Sequence, residues 1–110
     1  MTYTASGNYE FKMTMDIANL TKPEFKALII DGKLQIEWAY IDFYALEIWV
    51  DRGNGNFSFL AVDTIGKYVD ICQSYLENFI WRYKARYKWD IVSTGPWSDV
   101  VIVKSWERDD

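Results

Sequence analysis

The chain has 110 residues, half of them apolar and 18 % aromatic, with a net charge of only −4, one cysteine and no histidine. This fits one domain with one core and excludes a disordered chain; the acidic balance excludes the clustered cations of a phosphate-binding footprint, so no nucleic-acid partner is expected. The missing histidine removes the commonest general base, the usual zinc ligand and every Ser-His or Cys-His arrangement, and Cys72 alone makes no internal disulfide.

No apolar run reaches the roughly 20 residues of a membrane helix, and no membrane insertion is expected. The opening residues 1–13 have neither a basic n-region nor an apolar h-region. No export signal is therefore expected, and the chain is placed in the cytoplasm or in a larger assembly.

Period-2 alternation dominates the whole chain, which predicts an all-β fold. Residues 8–17 set Tyr9, Phe11, Met13, Met15 and Ile17 against Glu10, Lys12, Thr14 and Asp16, the pattern of a half-buried strand. After Pro23, a run from Phe25 to Ile30, an Asp31-Gly32 turn and a run from Leu34 to Trp38 read as a hairpin. Leu46, Ile48 and Val50 alternate next, and the turn Asp51 to Asn56 leads into Phe57–Val62. Asn54-Gly55 is the strongest short hairpin signal, since both positions tolerate positive φ. A short strand around Tyr68-Val69-Asp70, a long one from Phe79 to about Trp89, and a last one from about Ser98 to Trp106 complete seven core strands, the count of a two-sheet antiparallel β-sandwich.

From about residue 23 to 105 these residues resemble a fibronectin type III domain, a β-sandwich of immunoglobulin-like architecture. The second core strand ends in a tryptophan (Leu34-Gln35-Ile36-Glu37-Trp38), Leu76 stands five residues before Trp81, the sixth strand reads Trp81-Arg82-Tyr83-Lys84-Ala85-Arg86-Tyr87, and Gly95-Pro96-Trp97-Ser98 precedes the last. Leu46 to Thr64 together with Gly95 to Val101 are similar, more specifically, to fibronectin type III-like domains at the C-terminal ends of uncharacterised Bacteroidetes proteins. The resemblance implies a domain over residues 23–110, preceded by an N-terminal arm or extra strand over residues 1–22. It implies a strand F flanked by strands C and G, and a corner tied by a tyrosine hydroxyl where this chain has Trp81. Trp81 would have to tie that corner with its indole N–H or not at all.

No constellation for catalysis or metal binding emerges. The sixteen acids are scattered rather than paired as a glycosidase needs. A calcium loop starting at Asp51 would need a ligand at its third position, which is Gly53, and a bidentate acid at its twelfth, which is Val62. Cys72 has no base near it in sequence and reads as an inert thiol. No enzymatic activity and no cofactor are expected.

Two groups of residues remain. Arg82, Lys84, Arg86 and Lys88 share one face of the long strand, opposite Trp81, Tyr83, Ala85, Tyr87 and Trp89. With Glu47, Trp49 and Asp51 alternating outward on the neighbouring strand, Trp49, Arg82, Lys84, Arg86 and Trp97 are a candidate structural cation–π ladder. It resembles the tryptophan-arginine ladder of cytokine receptors, of whose WSXWS motif one Trp-Ser stands here. The second group is apolar where loops are usually polar: Tyr40, Ile41, Asp42, Phe43 and Tyr44 in one loop, and Trp89, Asp90, Ile91 and Val92 in another that the resemblance brings to the same end. These are candidate binding loops, or a surface the N-terminal arm covers. The expected function is protein binding or self-association as an interaction or assembly module, such as a structural subunit of a surface or virion assembly; the alternative is a carbohydrate-binding sandwich with a glycan partner.

Overall fold

The computed structural model describes residues 22–41, 43–70, 78–92 and 94–107. The alternating segment 8–17, the rest of the proposed arm before Lys22, and Asp42, Cys72 and Leu76 lie outside the described residues. The described chain is all-β: β1 Phe25–Ile30, β2 Lys33–Trp38, β3 Ala45–Asp51, β4 Ser58–Asp63, β5 Lys67–Asp70, β6 Ile80–Lys88 and β7 Val101–Lys104. They form a three-stranded sheet in the order β1-β2-β5 and a four-stranded sheet in the order β4-β3-β6-β7, all neighbours antiparallel. The two sheets pack as a β-sandwich.

The β1–β2 hairpin closes at Asp31-Gly32 with Ile30 opposite Lys33, both turn residues at positive φ (53° and 75°). That geometry matches the right-handed twist of the flanking strands, which is why Asp-Gly is favoured there. In the β3–β4 turn the positive φ falls at Gly53 and Gly55 rather than at the Asn54-Gly55 pair. Asn54 instead accepts the Asn56 N–H (2.9 Å), and Asp51 Oδ1 accepts the N–H groups of Gly53 (2.8 Å) and Gly55 (3.1 Å). The Asp51 carboxylate thus holds the turn from within. β4 is shifted by one residue, to Ser58–Asp63, and β7 is shorter than its apolar pattern suggests, confined to Val101–Lys104 because the chain before it pairs irregularly with β6.

The core lies between the sheets. Ile29, Leu34, Ile36 and Trp38 enter it from one sheet; Leu46, Ile48, Val50, Trp81, Tyr83, Ala85 and Val103 enter from the other. The alternation of β2 and β6 therefore reads the inward face correctly. A bulge shifts the β3–β4 register between Ile48 and Trp49, so that Ile48 faces Ala61 and Trp49 faces Phe59. Leu60, the extra residue, packs against the core.

Two carboxylates fasten one sheet to the other. Asp63, ending β4, accepts the Trp38 indole N–H at 2.7 Å and the Gly66 N–H at 2.8 Å. Asp70, ending β5, accepts the Tyr83 hydroxyl at 2.8 Å and pairs with the Arg52 guanidinium at 3.0 Å. Buried carboxylates are tolerated only with such partners. Trp81 contributes its ring: it stacks on Phe79 (3.9 Å, 21°), and the Arg52 guanidinium lies 4.4 Å from its centroid. The hydroxyl that ties β6 to the opposite sheet belongs to Tyr83.

Candidate interaction surface

On the outer face of the four-stranded sheet, Ser98 fixes the position of Trp97. The Ser98 N–H donates to the Ala85 carbonyl (2.7 Å), and the Ala85 N–H donates to Ser98 Oγ (2.9 Å), so the hydroxyl substitutes for a ladder carbonyl where the backbone departs from β6. Trp97 consequently lies over the cations of β6, with Lys84 Nζ 4.2 Å and Arg86 Cζ 4.3 Å from its centroid. Lys84 also lies over Phe57 at 4.6 Å. Trp49 joins differently from the expected stack on a cation: it meets Trp97 and Phe59 edge-on and donates its indole N–H to Glu47 Oε2 at 2.8 Å. Glu47 also receives Arg86 Nε at 2.8 Å. Arg82 is on the same face but exposed, between Asp51 and Ile102 in register.

The alternation of β3 suggests that Glu47 and Asp51 face water, yet both are buried. The rings and guanidinium of this layer cover Glu47, and the turn closes over Asp51. Replacing Trp97 by Ala is expected to lower stability by about 1–2 kcal/mol, two cation–π contacts at an exposed site, without loss of fold. Urea unfolding of Trp97→Ala beside Trp97→Phe checks this, and equal midpoints for Trp97→Ala and the parent would mean that the layer adds nothing.

The second group converges at one end of the sandwich. Tyr40, Phe43 and Tyr44 from the β2–β3 loop and Trp89, Asp90 and Ile91 from the β6–β7 loop line one groove of about 430 Å³. Ile41 and Val92 belong to these loops but not to the groove lining; Asp42 lies outside the described residues. Tyr44 is buried and forms the floor, edge-on to Trp89 at 6.2 Å and tilted against Tyr87. The rim is apolar and open: Phe43 is 78 % exposed, Ile91 89 % and Val92 84 %.

Both loops are held in place. The Tyr44 N–H donates to the Ile41 carbonyl (3.0 Å), closing a turn whose third residue, Phe43, has φ 72°. In the other loop, Lys88 Nζ donates to the Ile91 carbonyl (2.6 Å), Asp90 Oδ1 accepts the Val92 N–H (2.9 Å), and Lys88 bridges to Thr94.

Sequence reasoning missed the third contributor, the end of β4 and the β4–β5 turn, which add Val62 and Thr64 to the groove and an exposed Ile65 beside it. This turn is fastened to the end of β2, because the Trp38 N–H donates to the Gly66 carbonyl at 3.1 Å while Asp63 holds Trp38 and Gly66 together. Gly66 has φ 93°, and a Cβ there would meet the Trp38 carbonyl at 3.3 Å and Tyr40 Cβ at 3.5 Å. Only glycine lets the two segments approach this closely. An isoleucine at the middle of a turn, in Thr64-Ile65-Gly66, was the available signal.

Among the described residues no cluster of three or more acids and cysteines is placed to hold a metal ion, and no helix is long and apolar enough to cross a membrane. The chain matches no protein-family model, and a search among curated proteins finds no relative.

Proposed function

We propose that this chain is a non-enzymatic interaction module of fibronectin type III type that binds a protein partner through the end formed by the β2–β3, β4–β5 and β6–β7 loops. The fold assignment is supported by β3 and β7 flanking β6, the neighbours that the resemblance gives strand F. One observation carries the functional reading: Phe43, Ile65, Ile91 and Val92 stand exposed at one end around an aromatic-lined groove, with Phe43 held at positive φ. A bulky residue in that conformation costs about 1–2 kcal/mol, and an exposed apolar ring returns little to the free domain. Contiguous apolar surface on pre-organised loops is what a protein interface uses. The sugar-binding alternative calls for exposed rings flanked by polar groups, whereas the most exposed side chains at this end, Phe43, Ile65, Ile91 and Val92, are all apolar.

The Phe43→Gly variant is expected to be as stable as the parent or about 1 kcal/mol more stable, since glycine accepts the backbone conformation. Peptides selected from a random library on the immobilised domain should shift the amide resonances of Tyr40, Phe43, Trp89 and Ile91. They should bind Phe43→Gly/Ile91→Ser about tenfold more weakly, as loss of a central anchor predicts. Specific binding on a glycan array, with no selected peptide mapping to this end, would replace this reading by the sugar one.

A further inference from the structure

A different surface carries a second inference, independent of the loop end. Among the described residues β7 is an outer strand of its sheet, bonded to β6 alone. The Ser105 N–H donates to the Phe79 carbonyl, and with period 2 the amides of Val103 and Val101 point to β6 as well, leaving those of Ile102 and Lys104 directed away from it. Edge strands in monomeric proteins usually carry charges or proline to discourage pairing. β7 carries one charge, Lys104 at its end, and its outward side chain Ile102 is 52 % exposed. Ile80 on β6 and Val100 and Trp106 beyond the two ends of β7 are exposed too. β1, an outer strand of the opposite sheet, presents an exposed Lys26 instead.

The start of the described chain lies against this edge. Lys22 Nζ pairs with Asp99 Oδ1 at 2.6 Å, and Pro23, Glu24 and Phe25 share a cleft with Asp99 and Val101 at the head of β7. The described chain therefore begins at the head of β7, and the 21 residues before Lys22 include the run in which Tyr9, Phe11, Met13, Met15 and Ile17 alternate with polar residues. A segment leading to Lys22 from along β7 lies antiparallel to it, and a short tether keeps its local concentration high.

We propose that residues 8–17 add to the outer edge of β7 in their own chain as an antiparallel strand, with their apolar side chains beside Ile102. The pairing satisfies the outward amides of Ile102 and Lys104 and covers the apolar strip, and it leaves the loop-end groove open for a partner. Hydrogen exchange on the full chain tests it. Ile102 and Lys104 amides are expected to exchange as slowly as Val103, independent of protein concentration. In Phe11→Lys/Met13→Lys the two should speed up on the order of a hundredfold while Val103 stays protected, as expected for loss of one strand rather than of the fold. Fast exchange at Ile102 and Lys104 in the unmodified chain overturns the proposal, as does new protection along β1 instead. Protection that falls on dilution also overturns it, because the strand would then come from a second copy. The pattern in the unmodified chain decides even if the double variant does not fold.

Discussion

Replacing Trp38 by Ala is expected to destabilise the domain by about 3–5 kcal/mol, the range for truncating a buried aromatic residue. Trp38 is buried at the end of β2, where its ring meets Tyr40 and Tyr87 and its indole N–H crosses to Asp63 in the opposite sheet. Truncation leaves a cavity and takes one of two donors from a carboxylate that is itself buried, which adds a polar cost to the packing cost. The effect should reach the loop end too, since Asp63 and Gly66 hold the β4–β5 turn against β2. Trp38→Phe separates the contributions: it keeps much of the ring volume but drops the N–H, and should cost about 1.5–3 kcal/mol, the value of a hydrogen bond to a charged group. Thermal melts of both variants check this. At about 4–8 °C per kcal/mol for a domain of this size, a Trp38→Ala variant melting within about 5 °C of the parent would contradict the central role given to this side chain.

Which features the sequence discloses follows from the range of the interactions that fix them. The inward parity of β2 and β6 is set by side chains two residues apart, and Leu34, Ile36 and Trp38, like Trp81, Tyr83 and Ala85, are read directly from their alternation. The Asp31-Gly32 turn is legible for the same local reason. The bulge at Ile48/Trp49 leaves no local mark, because Phe59, Leu60 and Ala61 are all acceptable strand residues and only pairing with β3 decides which is extra. The burial of Glu47 and Asp51 depends on a covering layer and a closed turn. The convergence of the two aromatic loops is legible once a sandwich is assumed, but the conformation of Phe43 is not. Phenylalanine is a poor residue for positive φ, so local preference points away from the observed turn. The carboxylates of Asp63 and Asp70 look like ordinary surface acids at strand ends until the fold brings Trp38, Tyr83 and Arg52 to them.

Asp70 is the second position where a single change should have a large effect. Its side chain is 1 % exposed, and it holds both the Tyr83 hydroxyl and the Arg52 guanidinium, the latter still 31 % exposed. Removing one member of a buried pair costs about 3–5 kcal/mol because the other is left buried without its counter-charge. Partial solvation of Arg52 argues for the lower end, so Asp70→Ala is expected to cost about 3 kcal/mol. Tyr83→Phe removes only the hydroxyl donor and should cost about 1.5–3 kcal/mol. The same cluster predicts a pH dependence. Burial, and then the negative charge of Asp70, hold the Tyr83 phenol well above its ordinary range, and burial raises Tyr68 and Tyr87 in the same direction. Below the ordinary tyrosine pKa of 10.0 the phenol is protonated folded and unfolded, and its contribution is fully present. As pH rises through that value the unfolded chain ionises while the folded one keeps its proton. Stability should then fall by up to about 1.4 kcal/mol per pH unit through Tyr83. Urea midpoints measured between about pH 9 and 11.5, spanning the ordinary tyrosine value, should therefore decline in the parent and decline less steeply in Tyr83→Phe. Parallel slopes in the two proteins would mean that Tyr83 ionises as readily in the folded domain as in the unfolded chain, and the bond to Asp70 would have to be abandoned as a clamp between the sheets.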